Sequence, residues 1–146
     1  MPLTGEYEPS TWDWVREQVD TYEATGGREA NTLRDTGIPV VIVTSRGASS
    51  GKLRKFALMR VEHEGEYALV ASVGGAPNHP GWYHNLLAEP LVMLQDGPEP
   101  REYTTHIAEG DERAAWWDRA VAVFAPYAEY AKKTERVIPV FVATPA

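Results

Sequence analysis

The sequence predicts a mainly β (α+β) fold: one small barrel of about six mostly antiparallel strands with flanking helices. Three observations carry this. Short β-branched or alternating runs recur along the chain, separated by turn residues. Helices are inserted and appended without the regular alternation that a doubly wound parallel sheet needs. The length, 146 residues, suits one domain that buries a core without metal or disulfide support.

The elements follow in order. Ser10 is placed to cap a helix whose Trp12, Val15, Val19 and Tyr22 recur at helical spacing, and Gly26-Gly27 ends it. Residues 1–36 are thus expected to form an N-terminal helix and connector on a barrel of residues 37–146. Ile38–Thr44 reads as a buried strand. After the loop Gly47–Gly51, Leu53–Glu62 reads as a second strand and Tyr67–Ser72 as a third, joined by a hairpin turn at His63–Glu66. Gly74–Pro80 is loop by composition, and Pro80 opens a helix to about Ala88. Leu91–Gln95 and Glu102–Ala108 are strands around the turn Asp96-Gly97-Pro98. Asp111 is expected to cap a helix through Phe124, with Trp117, Val121 and Phe124 on one face. Pro126 starts a shorter helix toward Arg136, and Val137–Thr144 is the last strand.

Composition narrows the function. There is no cysteine, hence no disulfide framework, thiolate zinc site or cysteine nucleophile, which suits a cytoplasmic protein. No signal peptide or membrane span is expected, because the N-terminus is polar and no apolar run approaches about 20 residues. A net charge of −7 argues against non-specific nucleic-acid binding. Within that acidic chain, Arg46–Arg60 (RGASSGKLRKFALMR) holds five basic residues and no acidic one, leaving about −12 for the remainder. Cations beside small residues with accessible amides suit a phosphate or polycarboxylate. A solvated strand edge that uses lysine to deter pairing would look the same, and composition leaves both open.

Motif searches exclude more than they find. Gly47–Lys52 lacks the spacing and the following Ser/Thr of a Walker loop. No glycine fingerprint of a dinucleotide site and no nucleophile elbow is present. The four histidines are scattered, so no metal site is expected. Trp82, Tyr83 and Asn85 follow the glycine loop on a short helix, and read either as core or as a wall for a planar ring. Tyr127 and Tyr130, three apart, suit the same pocket or ordinary packing.

Four blocks carry a resemblance: Ser50-Gly51-Lys52-x-Arg54; Ala71-Ser72-x-Gly74-Gly75-Ala76; His79-Pro80-x-Trp82-Tyr83-x-Asn85-Leu86; and Thr134-x-Arg136-x-Ile138-Pro139-Val140. In this order and spacing the chain, from about Gly37 onward, resembles the deazaflavin-dependent nitroreductase family. These are split β-barrel oxidoreductases that use coenzyme F420. The resemblance implies that Ser49, Ser50, Lys52 and Arg54 grip the cofactor's phosphate, with Lys55 assisting. It implies that Ala48, Leu58 and Met59 line the pocket, that Ala71, Ser72 and Val73 run beside the ring, and that Gly81, Trp82 and Asn85 cover it. The chain departs from some relatives, which are basic at the positions of Ala48 and Ser49 and carry lysine at Val73.

The implied chemistry is hydride transfer from the reduced deazaflavin to an electron-poor small molecule: a quinone, an enone or other activated C=C, or a nitroaromatic. Ser72 is the candidate that polarises the acceptor. Tyr130 is the candidate proton donor or gate, and Tyr127 and Trp12 are further substrate-side candidates. The N-terminal helix reads as a lid or, more simply, as packing. Two other readings stand beside this one: an FMN-dependent split-barrel oxidoreductase, and a barrel that holds a cofactor or fatty acid without turnover. Monomer and homodimer are both open.

Overall fold

The computed structural model describes residues 6–8, 13–32, 37–48, 50–71, 81–133 and 138–146. Its elements are α1 (Asp13–Thr25), β1 (Val40–Arg46), β2 (Leu53–Met59), β3 (Glu62–His63), β4 (Glu66–Val70), α2 (Gly81–Ala88), β5 (Leu91–Gln95), β6 (Pro100–Ile107), α3 (Gly110–Val123), α4 (Pro126–Lys133) and β7 (Val140–Pro145). The strands form one antiparallel sheet in the order β2-β1-β5-β6-β7-β4-β3.

That order closes the sheet on itself. β2 and β3 are its two edges, yet only Arg60 and Val61 separate them along the chain. The Arg60 amide donates to Pro39 O at 2.8 Å, beside β1, and Val61 O accepts from the Ala68 amide at 2.9 Å, beside β4. The run expected as one strand, Leu53–Glu62, is therefore two short strands with a bend between them. It changes partners there because one straight strand cannot pair with both β1 and β4.

Local chemistry explains the joints. Glu64 and Gly65 have φ of 52° and 84°, the positive pair that a two-residue hairpin of the right twist requires. Gly26 and Gly27, at 63° and 82°, end α1 as the sequence predicts. The expected cap at Asp111 is corrected. The N-cap is Glu109, in extended conformation and without a side-chain cap bond, and Asp111 lies in the first turn of α3. A carboxylate there still faces the positive end of the helix dipole.

Alternation sorts the strands into two faces. Val41 and Val43, Tyr67 and Leu69, Val92 and Leu94, Tyr103, and Phe141 and Ala143 fill the barrel interior, and Leu86, Trp82 and Tyr83 of α2 pack against them. Outside, Val19 and Tyr22 of α1 bury against Val40 and Ile42. On another outer side, α3 and α4 pack on Met59, Val61, Ala68, Val70, Val140 and Val142. In α3 the residue turned into this core is Trp116, with Ala120. Trp117, Val121 and Phe124, expected on one face, are half-buried beside it, and Trp117 and Phe124 meet Tyr127 of α4 at ring distances of 6.2 and 5.1 Å. Each fully buried aliphatic contributes about 1.5–3 kcal/mol.

Candidate functional site

Strand geometry divides the basic stretch. Arg46 braces its own loop, Nη1 donating to Gly51 O at 3.1 Å. Arg60 serves the barrel: its Nε donates to Asp96 Oδ2 at 2.7 Å, and the same oxygen accepts the Tyr67 hydroxyl at 2.7 Å. Lys55 turns toward α1, with Nζ 2.6 Å from Glu23 Oε2 and 4.8 Å from the Tyr7 ring centre. Lys52 and Arg54 share one carboxylate, that of Glu8. Arg54 Nη1 lies 2.8 Å from its Oε2, and Lys52 Nζ lies 3.9 Å from its Oε1.

Beside these cations opens a cleft of about 480 Å³. β2 supplies Arg54, Lys55 and Phe56, the β1–β2 loop supplies Gly47, Ala48 and Ser50, α2 supplies Trp82 and Asn85, and Val15 and Glu8 complete the rim. One wall is flat and apolar: the Phe56 and Trp82 rings stack with centres 5.4 Å apart and planes 14° apart. The volume falls within the usual range for small-molecule sites, about 300–1,000 Å³.

The loop is built to stay in place. Asn85 Oδ1 accepts the Ala48 amide at 2.9 Å, tying the loop to α2. Ser50 Oγ accepts the Lys52 amide at 3.1 Å, and Gly47 bonds through its amide to Lys52 O at 2.7 Å. A side chain at Gly47 would put its Cβ 2.8 Å from Ser50 Oγ. Ser45 is paired with Arg54 across the two strands, so both side chains lie on one sheet face. It is fully buried, and its hydroxyl has no hydrogen-bond partner among the described residues. An unpaired buried hydroxyl costs about 1–3 kcal/mol, so such groups concentrate where something else supplies the partner. Near the rim, burial first, then the Asp20 and Glu23 carboxylates, push the Tyr7 phenol above its usual range. The cleft thus offers cationic side chains for an anion, next to a wall for a flat ring. An anionic ligand with a planar head, as a deazaflavin is, fits that donor set.

The expected site residues separate into groups. Ala48, Ser50, Arg54, Lys55, Trp82 and Asn85 line the cleft, and Lys52 stands beside it through Glu8. Gly81 is the first residue of α2. Leu58 packs on the barrel interior, whereas Met59 points outward into the cluster under α3. Ala71 is buried, its amide bonded to Pro139 O at 3.0 Å. Trp12, Ser49, Ser72 and Val73 lie outside the described residues. Tyr127 and Tyr130 belong to the aromatic cluster of α3 and α4, where burial raises the Tyr127 phenol well above its ordinary range. Sequence reasoning missed Gly47, Phe56, Tyr7 and Glu8. Phe56 was within reach, because it alternates with Arg54 on one strand face. Nothing local signals Tyr7 and Glu8, which arrive by an isolated parallel bridge from Tyr7 to Leu53.

Among the described residues no group of three or more histidine, aspartate or glutamate side chains is placed to hold a metal. No helix among them is long and apolar enough to cross a membrane.

Comparison with known proteins gives a consistent result. A family model described as F420H(2)-dependent quinone reductase matches residues 14–145. A Mycobacterium tuberculosis protein named F420H(2)-dependent quinone reductase is 32% identical over 126 residues, covering 84% of each chain. A solved F420-H2 dependent reductase, FDR-A, is 52% identical, with a TM-score of 0.69 over 72% of this chain and 93% of its own. A second solved structure, described as a domain-swapped dimer, is 47% identical, with a TM-score of 0.71 over 92% of this chain and 99% of its own.

Proposed function

The chain belongs to the F420H(2)-dependent quinone reductase family, and on that premise we propose that the cleft between β2 and α2 holds its cofactor. The protein is an oxidoreductase that uses coenzyme F420. When bound in reduced form, the deazaflavin supplies a hydride for an electron-poor acceptor, and a quinone fits that role.

The observation that carries the site assignment is the juxtaposition of Arg54 and Lys52 with the Phe56–Trp82 wall. Arg54 and Lys52 hold the cofactor's phosphate. Lys55, already engaged by Glu23, adds field rather than a direct grip. Ser49, Ser50 and the Ala48 loop supply short-range donors, and Asn85 fixes that loop by accepting the Ala48 amide. Trp82 flanks the planar head and excludes water from one side. Ser72 polarises the acceptor, beside Ala71 and Val73. Tyr130 is the candidate gate or proton donor for the acceptor; its half-buried phenol belongs to the α3–α4 aromatic cluster rather than to the cleft lining. The absence of cysteine fits a reducing compartment such as the cytoplasm.

The test is a titration of the protein with oxidised coenzyme F420 and, separately, FMN, read by quenching of tryptophan fluorescence, with Trp82 in the cleft. Saturable quenching by the deazaflavin alone is expected. Binding of FMN alone would move the protein to a flavin reading, and binding of neither would overturn the assignment of the cleft.

A further inference from the structure

The two cations assigned to the cofactor's anion are engaged from within the chain. Glu6–Glu8 lies along the outer edge of β2: the Leu53 amide donates to Glu6 O at 2.7 Å, and the Glu8 amide donates to Leu53 O at 2.9 Å. These two bonds hold the Glu8 side chain over the strand, where its carboxylate meets Arg54 at 2.8 Å and Lys52 at 3.9 Å. Glu8 also lines the cleft. A carboxylate bridging a guanidinium and an ammonium has the same chemistry as a bound phosphate or carboxylate.

We propose that the Glu6–Glu8 segment is an internal anion strap: Glu8 occupies the anion site of the empty protein, and the cofactor loads by exchanging its own anion for the Glu8 carboxylate. The inference rests on the cofactor site proposed above. Because the strap is tethered, its carboxylate competes at an effective concentration on the order of millimolar or more. A dilute free monoanion exchanges one such charge for another and gains little. A ligand that brings two or more negative charges, such as a phosphodiester with a glutamate tail, gains over Glu8, because Arg54 and Lys52 together carry two positive charges and Glu8 cancels one. The strap therefore selects for polyanionic ligands and keeps the empty cleft from collecting small anions. It also covers the β2 edge, which protects an exposed strand from pairing with other chains.

The test compares wild type, Glu8→Gln, Arg54→Ala and the double variant. Affinity for oxidised coenzyme F420 is read by tryptophan quenching, and affinity for inorganic pyrophosphate is read by calorimetry. Glu8→Gln keeps both backbone bonds of the strap, so its melting temperature is expected to match wild type. Exposed ion pairs are worth little, so removing this competitor is expected to tighten both ligands by up to about fivefold. The gain is expected to vanish in the Arg54→Ala background, as a double-mutant cycle requires if the two side chains act together. Unchanged or weaker binding in Glu8→Gln would overturn the strap, as would an equal gain without Arg54. If wild type fails to bind the deazaflavin while Glu8→Gln gains affinity for pyrophosphate, the cofactor assignment falls and the strap stands. If neither ligand binds better to Glu8→Gln, the strap falls, whatever the cofactor does.

Discussion

Replacing both Lys52 and Arg54 with alanine removes the two cations assigned to the cofactor's phosphate. Their side chains are 42% and 36% exposed, so they act in a medium between water and protein interior. At about 4 Å a unit charge pair is worth about 1 kcal/mol in water and about 4 at an effective dielectric of 20. The exposure favours the lower part of that span. A charge-assisted hydrogen bond adds, but wild type first releases Glu8, an exchange worth at most about 1 kcal/mol. The net loss for both cations is then about 2–3 kcal/mol, or about 30- to 150-fold in cofactor affinity. Folding is expected to change by no more than about 1 kcal/mol, because the pair lost is half in solvent. Fluorescence titration at low and moderate salt measures the affinity, and urea unfolding supplies the control. The double variant is also expected to show a flatter salt dependence. Affinity within twofold of wild type, at unchanged stability, would refute the phosphate site.

Other consequences are open to direct measurement. Asn85→Ala frees the β1–β2 loop from α2; deuterium exchange at the Ala48 amide is expected to speed up, with a loss of about 2- to 10-fold in cofactor affinity. Tyr67→Phe deprives Asp96 of a 2.7 Å donor and is expected to cost about 2 kcal/mol in urea unfolding. Burial raises the phenols of Tyr22, Tyr67 and Tyr127 above 10.0, so the unfolded chain loses these protons first. Stability is therefore expected to be level with respect to these groups below pH 10 and to fall above it. Tyr67→Phe should flatten that fall by up to about 1.4 kcal/mol per pH unit. Gly27→Ala forces a side chain onto a φ of 82°, with its Cβ 3.0 Å from the Tyr22 ring and 3.1 Å from Gly97 Cα; a loss of about 1–3 kcal/mol is expected in thermal unfolding. Tyr130→Phe is expected to lower quinone turnover while leaving cofactor affinity unchanged, and wild-type turnover would remove Tyr130 from the reaction.

Local signals carried much of the architecture. The β-branched run at Ile38–Thr44, the helical spacing to Tyr22 and the turns at Gly65 and Gly97 are short-range features, and each leads to the element predicted. The bend at Arg60–Val61 was not legible. It arises from closure of the sheet: Val61, between Arg60 and Glu62, continues the every-other-residue apolar pattern of Ala57 and Met59, so nothing local marks the change of partner. Composition left an anion site and a strand edge side by side: β2 is an edge strand, and the same strand carries Arg54 into the cleft proposed for the cofactor. Of five basic residues, Arg46, Lys55 and Arg60 are drawn into contacts with Gly51, Glu23 and Asp96. Charge counting along the chain could not separate them, because their partners lie up to 36 positions away. Glu8 escaped notice for the same reason, its contact with Arg54 spanning 46 positions.

The position of β7 has a bearing on how the protein is made. Last of the strands in chain order, it sits inside the sheet between β6 and β4, and its first four residues are buried. While the ribosome is still working, Leu69 and Val70 of β4 have no neighbour for the side that Phe141 and Val140 later cover. Nothing before Val140 can complete the ring, so the nascent chain carries two unsatisfied sheet edges until β7 emerges. Such edges invite pairing with other chains. Closure also joins segments far apart in sequence, which places folding among the slower topologies. A cell expressing this protein therefore faces its greatest aggregation hazard in the interval between the emergence of β4 and the arrival of β7, and holding factors that shield β4 during that interval would raise the yield without touching the finished fold.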